Sequence, residues 1–521
     1  MIHVLFSLCC LLVAGRCQVV TKVVIEPVTE PVTQGPSSSV SPYLLPVAAG
    51  VQVRSLLTAG DSVNSRQTGE PYLFVGTPDG LGAFDNGDHT FTLLVNHENG
   101  KNKGIERAHG ARGAFISKWT IDIATTRVIH GEDLVKRVVN WDRDAMQYKL
   151  PGSKDFISFC SATLMPNNAF YDPTTKRGTR AMLYFNGEEV NKHGYAYAHV
   201  VDGPEAGTSY ELPRFSRAAW ENIVPHPAIG LQTMIIGLDD SYGGQLYLYH
   251  GEKLRDGSVA DKAGLTNGLL YGIAVEGVPA ENREQGIGGV ARDFTLASLG
   301  DASGFKGPSL EEKSVKLSVT AFNRPEDGHW DPMRLSDFYF TTTDRYDISR
   351  YKNPAVREKL NALKIGKLPD QIGRTRLWRL RFKDSNNLIL GGTIKVMLDS
   401  KDHDIQMLDN ITIDRLGHVL MQEDTANAPR NPKVWQYTIA DGTLKCLAEL
   451  DPARFGSLGR TPTPPFTVNC ETSGIIDASD LLGPGWFLLD VQAHHAVQSI
   501  EQISGGQLLA LYNPDSDPRK H

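Results

Sequence analysis

The sequence is poor in cysteine, carries no large excess of either charge, and has no long apolar run after its first residues. Its 521 residues include six cysteines, and Cys9, Cys10 and Cys17 lie in the first 17 residues. Removal of that segment leaves Cys160, Cys446 and Cys470, an odd number, so at least one thiol stays unpaired. Cys446 and Cys470 are the candidate disulfide pair, and Cys160 is left over. A chain of this length buries a large core without disulfide staples. The balance of 53 Lys+Arg against 60 Asp+Glu gives a net charge of −7, which excludes a strongly basic nucleic-acid binder and gives no polyacidic tail. No segment after residue 14 is apolar for long enough to span a bilayer, so no membrane anchor is expected. No Gly-x-Ser-x-Gly elbow supplies a serine nucleophile, and no exact repeat of about 40–45 residues is present.

Residues 4–14 (VLFSLCCLLVA) are followed by Gly15-Arg16-Cys17-Gln18, the pattern of a secretory signal peptide over residues 1–17. No twin-arginine pair precedes the run, and Arg16 before Cys17 spoils a lipoprotein cleavage box. The protein is expected outside the cytoplasm, extracellular or periplasmic. Residues 18–49 repeat Pro and Ser/Thr without apolar periodicity and read as an extended linker. Residues 50–512 read as one structural unit, and 513–521 as a polar tail.

Within that unit, apolar β-formers recur in runs of four to seven residues closed by Gly, Asp or Asn: YLFVG (72–76), FTLLVN (91–96), AMLYFNG (181–187), QLYLYHG (245–251), HVLMQED (418–424) and WFLLDVQ (486–492) are examples. Helical patterns are sparse; the clearest covers residues 353–364, with Asn353 as N-cap and Pro354 at the first helical position. The pattern predicts an all-β chain with a few short helical insertions, a β-propeller of divergent blades. Two stacked sandwich domains are the alternative.

Acidic residues gather at the strand ends: Glu98, Glu188-Glu189, Glu221, Asp239-Asp240, Asp409-Asn410, Glu423-Asp424 and Asp490. Strand ends from distant blades converge at a propeller mouth, and hard oxygen ligands collected there suit several Ca²⁺ ions. Cys160, in FISFCSATLMP, adds a soft ligand for iron or zinc. In AFNRPEDGHWDP, Arg324 and Glu326 stand two residues apart, on one face of an extended backbone. A guanidinium fork beside a metal-binding carboxylate suits a phosphate oxyanion. Glu471 opens a further acidic turn that ends at Asp477. Asn410-Ile411-Thr412 is a formal glycosylation sequon, discounted because Asn410 belongs to the candidate mouth.

The blocks GTPDGLGAFDNGDHTFTLLVNHENG (76–100), ELPRFSRAAWENI (211–223), RPEDGHWDP (324–332), MLDNITID (407–414), VLMQEDTAN (419–427) and ETSGIIDASDLLGPGWFLLDVQAH (471–494) resemble the PhoX-type alkaline phosphatases, in a branch described as predicted phosphatases. The resemblance spans about residues 50–512. It implies a six-bladed propeller whose mouth holds iron and calcium ions and hydrolyses phosphomonoesters. It makes Cys160 the iron thiolate (Fe³⁺), Glu221 and Glu326 metal ligands, and Arg324 the phosphate clamp. Arg324, Glu326 and Glu221 form the expected catalytic set. Glu98, Glu188, Glu189, Asp239, Asp240, Asp409, Glu423, Asp424 and Glu471 would complete the metal shell. The expectation is a secreted, monomeric, metal-dependent phosphomonoesterase acting on small phosphate esters. Two alternatives stand beside it: a calcium-binding propeller that serves as a matrix or recognition protein without turnover, and hydrolysis of a lactone or other ester.

Overall fold

A computed structural model describes residues 31–521 except 229, 282–286, 288, 307, 344–374, 426–427 and 429. The leader and the helix expected over 353–364 lie outside the described residues. The chain is mostly β-strand, and the longest described helix is Ser309–Lys316, of 8 residues. Six successive antiparallel runs of four strands organise it. Their first strands are Pro78–Asp85, Phe159–Met165, Ala218–Pro225, Pro325–Trp330, Leu408–Ile413 and Cys470–Asp477. Each first strand packs on the next, and Cys470–Asp477 packs back on Pro78–Asp85, so the six make a cycle of contacts. The last run draws its outer strand from the other end of the chain. Gln52–Thr58 pairs antiparallel with Gly505–Tyr512, with Val53 opposite Leu511, which ties the two ends of the unit together.

Sheets covered on both faces need apolar residues at consecutive positions rather than alternation. Thr90–His97 (TFTLLVNH) is accordingly buried at every position but its first, and Gly505–Tyr512 is buried throughout. Buried Trp119, Trp220 and Trp378 fill the cores of three runs. Each such side chain contributes on the order of 2–3 kcal/mol through burial.

Residues 31–49 depart from the expected linker. Val32–Gln34 pairs parallel with Gln52–Thr58, Leu44–Pro46 pairs with Leu444–Leu450, and Tyr43 and Leu44 are buried. Two short apolar patches found open sheet edges, and edge pairing outweighed the Pro/Ser composition. The polar C-terminal tail is also packed: Asn513 and Asp517 are fully buried, and Asp517 accepts from the Tyr512 hydroxyl at 2.7 Å. The expected disulfide is absent. Cys446 and Cys470 are free thiols, one in the outermost strand of the fifth run and the other opening the innermost strand of the sixth. Each thiol lies 3.7 Å from a carbonyl two residues away in its own chain segment.

One irregularity repeats in all six runs. The pairing of first and second strands shifts register once, between Pro78 and Leu81, Phe159 and Ala162, Trp220 and Ile223, Pro325 and Gly328, Leu408 and Ile411, and Thr472 and Ile475. A bulge turns its side chains away from the ordinary alternation. Five of the six first strands are also entered through a non-glycine residue with positive φ, at or just before the strand: Thr77, Ser158, Ser216, Arg324 and Met407. Such backbone costs energy and persists only where its surroundings over-determine it.

Candidate metal centre

The dipeptides between those register shifts are Asp79-Gly80, Cys160-Ser161, Glu221-Asn222, Glu326-Asp327, Asp409-Asn410 and Ser473-Gly474. Five of the six begin with a side chain of a type that can ligate a metal, delivered to one end of the strand cycle by the same device. The second residues are Gly, Ser, Asn or Asp. Gly80 and Gly474 are required by close approach: a Cβ on Gly80 would sit 2.4 Å from the Ala162 nitrogen, and one on Gly474 2.5 Å from the Asp79 carbonyl oxygen.

The second strands add another tier. Their register partners at the mouth are His97, Glu188, Asp239, Thr342 and Glu423, and the next residues are Glu98, Glu189, Asp240, Thr343 and Asp424. Successive residues of a strand point to opposite faces, so only one member of each acidic pair reaches the centre. Ligand atoms of Asp79, Glu98 and Cys160 lie within 4.8 Å of one another, as do those of Cys160, Glu221 and Asp409, and of Glu189, Glu221 and Asp240. Cys160 and Glu221 are each shared by two groups, so the three are linked. Glu471, Asp424 and Glu98 interact beside them, and Glu471 Oε1 accepts from Ser473 Oγ at 2.8 Å.

Glu188, Asp239 and Glu423, expected as ligands, face the other way. Glu423 is gripped by Arg430 (2.7 and 2.8 Å), the Trp435 indole (2.9 Å) and two backbone amides. Glu188 Oε2 takes the Lys154 ammonium at 3.0 Å and the Tyr195 amide at 3.2 Å. Asp239 accepts from the Ala219 amide and Ser241 Oγ. All three brace strand ends.

Asp79 went unrecognised in the sequence because Pro78-Asp79-Gly80 has turn chemistry. It is 1% exposed and central. Its carboxylate accepts from Asn410 Nδ2 at 3.0 Å, Gln492 Nε2 at 3.2 Å and the Cys160 thiol at 3.4 Å. Asn410 Nδ2 also reaches Ser161 Oγ, which donates to Glu221 Oε1, so a buried chain joins Asp79 to Glu221. Asn410, 3% exposed, is no glycan acceptor. Gln492, also missed, bridges Asp79 to Glu98.

The electrostatics are those of acids that outnumber the cations beside them. Burial, then repulsion from Asp240, raises Glu221 to about 8, and burial raises Glu98 to about 7. Burial and neighbouring carboxylates hold Asp79, Glu189, Glu326 and Asp409 well above the usual carboxylate range. The same causes push the Cys160 thiol up. Among the described residues, buried Glu221 Oε2 and Asp409 Oδ1 have no hydrogen-bond partner. Oxygen-rich groups with ligand atoms this close suit hard cations, and the thiol-containing groups suit a softer one. The residues present therefore fit bound metal. Arg324 is the cation of the site. Its Nε and Nη2 bond both Asp240 oxygens at 2.8 and 2.7 Å, and Nη2 lies 3.2 Å from Glu326 Oε1.

Residues 301–479 match the alkaline phosphatase PhoX family. The resemblance read from the motifs is thus found in the segment that holds Arg324, Glu326, Asp409, Asp424 and Glu471. A structure of Pseudomonas fluorescens PhoX in complex with vanadate, a transition state analogue, superposes with a TM-score of 0.60 at 12% identity, over 91% of this chain and 98% of that one. At that identity the likeness to PhoX speaks for the fold. Puromycin hydrolase (TM-score 0.34, 10% identity, 83% of this chain and 46% of that one) is too distant to carry an argument. So is a quinohemoprotein alcohol dehydrogenase from Pseudomonas putida HK5 (0.28, 10%, 90% and 65%). No curated protein sequence matches the chain.

Proposed function

We propose that the chain is an exported, six-bladed β-propeller that hydrolyses phosphate monoesters at a multi-metal centre. One observation carries the reading: five equivalent bulges converge Asp79, Cys160, Glu221, Glu326 and Asp409 on one site, with Arg324 at its edge. Asp79, Glu98 and Cys160, together with Glu221 and Asp409, would hold iron, and Glu189, Glu221 and Asp240 would hold calcium. Such ions, when bound, supply charge neutralisation and Lewis acidity toward phosphoryl oxygens. The chain's own residues do the rest. Gln492, Asn410 and Ser161 orient the carboxylates, and Arg324, whose Nε and Nη2 hold Asp240, would turn its remaining Nη donors to the phosphoryl oxygens of the ester.

A second reading, calcium binding without turnover, is favoured by the full engagement of the Arg324 fork by Asp240. Elemental analysis beside an aryl-phosphate assay separates the two. Calcium plus iron with turnover is expected, and the iron should vanish in Cys160→Ser. A fully metallated protein that leaves aryl phosphates intact establishes the binding-protein reading instead.

A further inference from the structure

Beside the acidic centre, at the seam between the second and third runs, three cations surround one aromatic ring. The Lys154 ammonium stands 3.7 Å from the centroid of Tyr195, and the guanidinium carbons of Arg217 and Arg143 stand 4.7 and 4.9 Å from it. Two carboxylates answer them: Glu188 bonds Lys154, and Glu211 bonds Arg143 Nη1 at 2.7 Å. Among the described residues, these two carboxylates stand against three cations. The Arg143 side chain is only 7% exposed, yet among the described residues its Nε and Nη2 have no hydrogen-bond partner, and neither does the buried Nε of Arg217. Contact with the face of a ring does not satisfy these N–H groups, which lie in the guanidinium plane and point outward from its edge. Buried donors of this kind are rarely left unmet.

The cluster adjoins the metal ligands through the backbone. Glu189 pairs with Ala219 and Gly194 with Ala218; Tyr195 follows Gly194, and Arg217 precedes Ala218. Lys154 grips Glu188, the residue before Glu189.

We propose that Arg143, Lys154 and Arg217 form an oxyanion subsite that holds a second phosphate of the substrate, so that bisphosphorylated small molecules are preferred over monophosphates. The reacting phosphate in this proposal rests on the phosphomonoesterase reading; the subsite itself does not. In-plane donors from two guanidinium groups and an ammonium, itself held by Glu188 and the Tyr197 hydroxyl, match the several oxygens of a phosphate dianion. A monophosphate can fill the metal centre or the subsite, and a bisphosphate both at once, which is an effective-concentration advantage.

The test compares kcat/KM for fructose 1,6-bisphosphate with that for fructose 6-phosphate in the metal-loaded wild type, Arg143→Gln and Arg217→Gln. The wild-type ratio should exceed 10, and each substitution should lower it by 10-fold or more. Calorimetric titration with inorganic sulfate gives a readout independent of turnover, and binding should weaken at least 10-fold in both variants. If the wild type hydrolyses neither ester but sulfate binding still falls in the variants, the subsite stands and the phosphatase reading fails. If ratio and sulfate binding both stay within 2-fold of wild type while the melting temperature drops, the three cations are counter-charges for the acidic centre, and the subsite is overturned.

Discussion

Arg324 joins backbone strain to charge. Its φ of +48° is unusual for a residue with a β-carbon, and the strain places a guanidinium between Asp240 and Glu326, both buried carboxylates. Strain of this kind, of order 1–3 kcal/mol, belongs to sites where position matters more than stability. Arg324→Lys keeps the charge but loses the fork, and should lower kcat/KM for aryl phosphates by about 10- to 100-fold. Arg324→Ala should lower it by about 10²- to 10³-fold, the scale of one preorganised electrostatic contact. Inhibition by inorganic phosphate should weaken in parallel. Wild-type kinetics in Arg324→Ala would show that the guanidinium serves only as a counter-ion to Asp240.

At the scale of elements, the repeated bulge is the unit of construction. It allows five of six divergent strands to aim one acidic or thiol side chain each at a common centre, and Gly80 and Gly474 let neighbouring first strands approach within backbone contact. Gly80→Ala would press a methyl group onto the backbone at Ser161 and Ala162, and overpacking of this kind costs about 1–3 kcal/mol. The displaced residues adjoin Cys160, so the substitution should also lower metal content at the Asp79–Glu98–Cys160 group. Gly230→Ala, where nothing lies within 4 Å of the added carbon, is the control and should change stability by less than about 0.5 kcal/mol. Urea unfolding with metal analysis on the two variants decides it; equal behaviour would mean that the bulge contact is compliant.

For the whole molecule, the concentrated acids make stability depend on cations and pH together. In the metal-free protein Glu98 and Glu221 titrate near 7 and 8, above the ordinary 4.5. The folded state then binds protons more tightly than the unfolded one. That stabilisation is complete below about pH 4.5 and is lost as pH rises through 7 to 8. Chelation should lower the melting temperature, and more at pH 9 than at pH 5.5, because bound cations replace the protons that alkali removes. Thermal unfolding with and without chelator at the two pH values measures this. A verified metal-free protein that melts like the native one at pH 9 would show that the acids need no cation.

The sequence alone determined the element type, because sheets covered on both faces need consecutive apolar residues whatever their partners, and it determined which acidic, thiol and guanidinium groups the chain has to offer, because Cys, Asp, Glu and Arg carry their chemistry wherever they stand. Cys160, Glu221, Glu326 and Arg324 could be read in this way. Only the tertiary structure decided which residue of Glu188-Glu189, Asp239-Asp240 and Glu423-Asp424 faces the centre, since a one-residue change of register exchanges the faces of a strand. It alone drew Asp79 out of a turn-like Pro-Asp-Gly, set Cys446 and Cys470 on separate strands, and placed Arg143, Lys154 and Arg217 around one ring. Side-chain direction and proximity belong to strand pairing across hundreds of residues, and no local pattern records them.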